Sequence, residues 1–209
     1  RELGWNGVAE AGARLQTGYG AANGRRCLLL PGHAPPDTPV ARDFPTELQD
    51  VTVQFSWYNG VNELRQTDAA YAPSVDAGYV RLVDGNGNRL TLSADAEGRA
   101  RYCINGGDWQ ATDYQLTDGW NKTRVVFGAG KPLEFWMAPQ RAGTHPKEQW
   151  KLIGIAIHSS QERETDFKQE LGLRLSGFRR MEVGRNPDSS ADFLFDDLFV
   201  ITNKHTARQ

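Results

Sequence analysis

The residues best able to do chemistry in this chain are aromatic, amide, carboxylate and guanidinium groups at positions that alternate with apolar ones: Gln54, Tyr58, Tyr79, Arg81, Glu134, Trp136, His158 and Arg174. Aromatic planes stack on the apolar faces of sugar rings, and the polar groups bond ring hydroxyls. A sheet face carrying both types would hold a glycan, so these eight residues are the expected carbohydrate-binding face. Trp109 and Tyr114, beside the turn Asn105-Gly106-Gly107, offer a second platform carried on a loop.

That expectation depends on strands, and the period-two pattern supplies them. Val51, Val53, Phe55 and Trp57 fall on one side of a strand, with Thr52, Gln54, Ser56 and Tyr58 on the other, as in a half-buried strand. Val80 and Leu82 oppose Tyr79, Arg81 and Val83, and after Asp84-Gly85-Asn86-Gly87-Asn88 the pattern resumes at Leu90 and Leu92, which predicts a hairpin. Further strands are expected near 25–30 and at 99–104, 123–127, 132–138, 152–158, 171–176 and 193–201, nine or ten in all. The best helix candidate is 160–169, whose charges equally suit an exposed loop, and the proline-rich 31–46 reads as a long connection or an edge-covering segment. Residues 139–149 and 184–191 read as loops, and Trp57, Trp120 and Trp150 belong to the core or a sheet edge. Many strands with one set of apolar alternates predict an all-β, two-sheet antiparallel sandwich forming a single domain over 1–209.

Composition narrows the partners. Twenty-four basic residues are scattered among 26 acidic ones for a net charge of -2, which leaves no basic footprint for nucleic acid. No apolar run approaches the roughly 20 residues of a membrane span, so no membrane insertion is expected. The chain starts at Arg1 without an apolar leader, as a mature chain or a module of a longer polypeptide would. Cys27 and Cys103 have no Cys or His at metal-site spacing and read as two buried thiols or as one disulfide closing a long loop.

Short motifs carry resemblances. The last strand, Phe193-Leu194-Phe195-Asp196-Asp197-Leu198-Phe199-Val200, and the opening Gly24-Arg25-Arg26-Cys27-Leu28-Leu29-Leu30, followed by Phe44 and the Val51 strand, resemble jelly-roll carbohydrate-binding modules and laminin-G-like (concanavalin A-like) sandwiches. That resemblance implies a jelly roll, polysaccharide or oligosaccharide as partner, and an extracellular, periplasmic or cell-surface location for a secreted protein. It also implies a structural Ca²⁺ at Asp196 or Asp197, with an acidic residue near the N-terminus such as Glu2 or Glu10; alternation would send the two aspartates to opposite faces.

Two enzyme resemblances compete. Glu164, Asp166 and Glu170 are similar to the E-x-D-x-x-E strand of laminarinase-type glycoside hydrolases, which implies a nucleophile and an acid, although one extra residue precedes the last Glu. Asn62-Glu63-Leu64-Arg65 and Ile155-Ala156-Ile157-His158 resemble strands of jelly-roll alginate lyases. That polysaccharide lyase reading implies His158, Tyr79 and Arg81 as the groups that remove a proton and steady the resulting charge. Ala156 stands where that family has glutamine, and no Y-F-K-x-G-x-Y motif follows. The leading expectation is therefore a noncatalytic polysaccharide-binding module, ahead of a lyase or hydrolase and of an adhesion domain that binds protein.

Overall fold

The computed structural model describes residues 4–16, 26–36, 38–59, 75–117, 119–127, 133–139, 167–170 and 175–202. Its strands are β1 (Arg14–Gln16), β2 (Cys27–Leu30), β3 (Val40–Leu48), β4 (Val51–Asn59), β5 (Gly78–Val83), β6 (Arg89–Ala94), β7 (Arg99–Ile104), β8 (Gln110–Gln115), β9 (Gly119–Phe127), β10 (Glu134–Pro139), β11 (Phe167–Glu170), β12 (Phe178–Arg185) and β13 (Phe193–Thr202). They form two antiparallel sheets, one ordered β1-β2-β13-β4-β9-β10-β11 and the other β3-β12-β5-β6-β7-β8. The chain is thus an all-β jelly-roll sandwich. Among the described residues no helix is long and apolar enough to cross a membrane.

The core lies between the sheets and is built from the apolar alternates. Val51, Val53, Phe55 and Trp57 of β4 meet Val80, Leu82, Leu90 and Leu92 of the facing sheet, with Phe135 and Met137 of β10 and Val183 of β12 completing the layer. Phe55 is the hub of a ring cluster, 5.7 Å from Phe195 and 6.2 Å from Trp57. The expected hairpin is β5–β6, in which Asp84 accepts bonds from the backbone amides of Asn86 and Asn88 and Gly87 takes φ 83°. Strand β13, apolar on both sides, lies between β2 and β4.

Several expectations are corrected. Residues Val40–Leu48 form an edge strand rather than part of a connection, because Pro45 needs no ladder partner at a sheet edge. Gly184 and Arg185, expected in a loop, complete β12, and Gln110–Gln115 forms β8, whose Tyr114, expected beside Trp109 on a loop platform, is buried in the core instead. Of the segment expected as helix or loop, Phe167–Glu170 is strand β11, paired to β10 with Phe167 opposite Met137; the rest lies outside the described residues. So do the expected strand at 152–158, residues 171–174 and Trp150.

Strand β4 is not half-buried. All nine of its residues are buried, and the far side of its sheet carries a second apolar cluster of Cys27, Leu29, Tyr58, Trp120 and Leu194. Trp120, expected in the core or at an edge, belongs to that cluster and packs edge-on against Tyr58 at 5.3 Å. The cysteines resolve to free buried thiols. Cys27 sits on the far side of one sheet, while Cys103 is paired with the outward Thr91 of the other, so both sheets separate them and no disulfide can form.

Candidate functional site

Alternation in the six-stranded sheet sends Val80, Leu82, Leu90, Leu92, Met181 and Val183 into the core. Their neighbours must therefore project outward. Register aligns these outward residues in rows across the sheet: Glu182, Arg81, Thr91 and Cys103 in one, and Gly184, Tyr79, Ser93, Arg101 and Ala111 in the next.

The rows are joined by charge. Arg81 Nη1 lies 2.8 Å from Glu182 Oε2, and its Nε donates to Thr91 Oγ1 at 3.3 Å. The other Glu182 oxygen accepts from Arg180 Nε at 2.8 Å, and Arg180 Nη1 reaches Asp43 at 3.0 Å. A continuous ladder, Asp43–Arg180–Glu182–Arg81–Thr91, therefore crosses four strands. At 12% exposure Glu182 is partly desolvated, so this network is worth more than isolated surface pairs, which contribute about 0–1 kcal/mol.

Two guanidinium–aromatic stacks flank the ladder. Arg81 lies 4.7 Å from the Tyr79 ring centre, and Tyr79 in turn covers Gly184 on the neighbouring strand. Arg101 lies 4.5 Å from the ring centre of Trp109, which at 39% exposure is the most exposed large hydrophobic residue described. The turn before Trp109 is pinned. Asn105 at φ 53° and Gly106 at φ 77° reverse the chain, Asn105 Oδ1 accepts from the Arg89 amide at 2.7 Å, and the Cys103 thiol donates to the Gly107 carbonyl at 3.0 Å. The turn that leads to the exposed indole is thus fixed, and Arg101 lies against the ring.

The two stacks differ in charge balance. Arg81 has Glu182, whereas Arg101 makes neither an ion pair nor a side-chain hydrogen bond among the described residues, and its buried Nε has no acceptor. A buried unsatisfied donor costs about 1–3 kcal/mol.

The expected binding face divides between the sheets. Tyr79, Arg81 and Trp109 belong to the six-stranded sheet, while Gln54, Tyr58, Glu134 and Trp136 lie on β4 and β10 of the other, where Arg124 of β9 pairs with both Gln54 and Trp136. Gln54 at 4% and Tyr58 at 7% exposure are buried in that second layer, together with Lys122 and Arg124. Burial pulls the Lys122 ammonium below its usual range, partly opposed by Asp197. Glu134 and Glu170 occupy directly opposite positions on β10 and β11. His158, Arg174, Glu164 and Asp166 lie outside the described residues. Alternation identifies which residues share a side of one strand; it does not say to which sheet the strand belongs.

Asp196 and Asp197 were expected on opposite faces. A bulge between Asp196 and Phe199, with Asp197 at φ 56°, breaks the alternation. Asp196 adds to the burial that pushes the Cys27 thiol up to about 12, and Asp197 favours the Lys122 charge. Calcium takes six to eight oxygen ligands. No three His, Cys, Asp or Glu group together among the described residues, so an ion at Asp196 would draw the balance from main-chain carbonyls and water.

Sequence reasoning missed Arg101, Arg180, Glu182 and Asp43. The alternation Arg180-Met181-Glu182-Val183 is the signal that would have located β12 and half of the ladder.

No protein-family model matches the chain, and no curated protein matches it by sequence. Solved structures do. A protein of unknown function from Shewanella oneidensis MR-1 is 11% identical, with a TM-score of 0.49 over 90% of this chain and 73% of that one. Xenopus laevis galectin-Ib is 7% identical, with a TM-score of 0.44 over 78% of this chain and 100% of that one. A heptameric SAP-like pentraxin from Limulus polyphemus is 11% identical, with a TM-score of 0.40 over 81% and 72%. Likenesses this distant assign no function, and the functional reading rests on the residues themselves.

Proposed function

We propose that this chain is a noncatalytic carbohydrate-binding module that takes a polysaccharide or oligosaccharide on the outer face of the six-stranded sheet. The observation that carries the reading is Trp109: an exposed indole, backed by Arg101, on the sheet face that also carries the partly exposed Arg81. A sugar ring stacked on the indole would lie roughly three inter-strand steps of ~4.8 Å from Arg81. That span suits a chain of rings lying across the sheet. Asp43 and Glu182 are both held by guanidinium groups, an arrangement that serves hydroxyl recognition better than proton transfer. An extracellular, periplasmic or cell-surface location, and a structural calcium ion at Asp196 that a chelator-induced fall in melting temperature would reveal, belong to the same reading.

Affinity electrophoresis of the chain through gels containing single polysaccharides tests it. Retardation by at least one glycan with no product formed, lost in Trp109→Ala at unchanged circular dichroism and melting temperature, is the expected result. Retardation by none, or full retention in Trp109→Ala, overturns the proposal. Appearance of the ultraviolet absorbance of an unsaturated uronate, or of new reducing ends, would establish a lyase or a hydrolase instead.

A further inference from the structure

We infer that the ligand of this face is an acidic glycan, whose carboxylate or sulfate group is met by Arg101; the inference rests on the carbohydrate reading above. The two cation–aromatic stacks on the sheet are built alike but balanced differently. Arg81 is neutralised by Glu182 at 2.8 Å through Nη1 and further fixed through Nε by Thr91, so its charge is answered within the protein. Arg101 is flanked in register by Ser93 and Ala111, neither of which carries charge. The acidic groups nearest in sequence do not answer it: Asp95 is engaged by Arg99 at 2.9 Å, and neither Asp108 nor Asp113 forms an ion pair with Arg101. With Nε shut away from solvent and lacking an acceptor, the terminal guanidinium nitrogens remain the donors that a ligand can claim.

The placement of this cation selects the chemistry. A guanidinium presents a planar fork that accepts a carboxylate or a sulfate through two parallel hydrogen bonds. With its Cζ 4.5 Å from the Trp109 ring centre, it is held beside the indole on which a sugar ring would stack. A ring stacked there would carry its own charged substituent, or that of its neighbour, to Arg101. A neutral glycan would leave the cation unanswered in a partly desolvated site, a penalty that discriminates against it. Attraction of polyanions to the protein as a whole does not account for such a preference, because the net charge is -2.

Affinity electrophoresis with polygalacturonate and alginate, which carry carboxylates, with dextran sulfate, which carries sulfate, with neutral dextran, and with poly-glutamate as a polyanion without sugar rings tests the inference. Retention by a carboxylated or a sulfated glycan, weakening as salt is added, supports it and names the anionic group. Arg101→Gln should then lose about tenfold or more in affinity while keeping its melting temperature, and Arg101→Lys should recover only part of the loss. Retention on neutral dextran equal to that on the acidic glycans, provided that it depends on Trp109, overturns the acidic ligand and leaves the module reading intact. Equal retention by poly-glutamate, or unchanged affinity in Arg101→Gln, also overturns it. No retention on any glycan overturns both.

Discussion

Tyr79 lies across Gly184, its cross-strand partner, so closely that a Cβ placed at residue 184 would stand 2.3 Å from the tyrosine Cζ. The glycine is therefore the floor of the Tyr79–Arg81 stack. Gly184→Ala would force the ring away and tilt Arg81 off Glu182, with an expected cost of about 1–3 kcal/mol. Thermal denaturation should show the loss, and Tyr79→Ala in the same background should add little to it, because the displaced contact is already gone.

The thiols give a second check. With Cys27 pushed up to about 12 by burial and then by Asp196, and with Cys103 buried at 5% exposure, neither should react with a thiol reagent in the native state. After unfolding without reductant two thiols should titrate. A count of zero would mean that a disulfide joins residues this fold keeps on opposite faces.

Asp84 makes stability acid-sensitive. Burial pushes its carboxyl up, but hydrogen bonds from Asn88, Ser176 and Asn86 outweigh burial and hold it below its ordinary 3.8. A carboxyl depressed in the folded state stabilises fully above its unfolded value, and that contribution disappears as pH falls from about 3.8 through the lower folded value. Asp84→Asn should cost about 2 kcal/mol at neutral pH. It should also flatten the acid limb of a melting-temperature profile measured from neutrality downward.

Tyr58, expected from sequence to meet a ligand, is a packing residue against Trp120 at 5.3 Å. Tyr58→Ala should destabilise by about 3 kcal/mol in denaturant titrations. If the variant is still folded under assay conditions, its glycan retention should match that of the parent.

Much of this fold was readable in the residues, and the reasons for success and failure are local. Strands β4, β5 and β6 announce themselves because Val, Leu and Phe alternate cleanly, β7 by Ala100, Tyr102 and Ile104 at every second position, and β13 by a long apolar run, with Gly, Asn and Asp punctuating the turns. Strand β3 hides behind Pro45, and β8 hides because its exposed residues, Gln110, Asp113 and Gln115, are those of a loop. The site is subtler. Trp109 stands out as an aromatic beside a glycine-rich turn, but Arg101 becomes notable only when β7 and β8 are brought into register and Asp113, the carboxylate that β8 brings, makes no ion pair with it. Glu182 and Arg81 lie 101 residues apart in sequence, and no local pattern pairs them.

Strand β4 is buried on both sides, with a consequence for how the chain finds one fold among several. A strand with one wet side resists slipping by a residue because the slip would expose its apolar set. In β4 both alternates are sequestered, so exposure alone discriminates less. What distinguishes the alignments is the contrast between its layers, Val53 and Phe55 on one side and Gln54 and Ser56, opposite Arg124 and Lys122, on the other. A slipped strand would drive Gln54 into the hydrocarbon layer and leave Arg124 facing an aliphatic side chain. The sequestered polar row acts as a key for the zipper, trading some stability for a single alignment. Swapping Gln54 and Ser56 for aliphatic residues would produce a chain that collapses as readily but has lost its means of rejecting the shifted pairing.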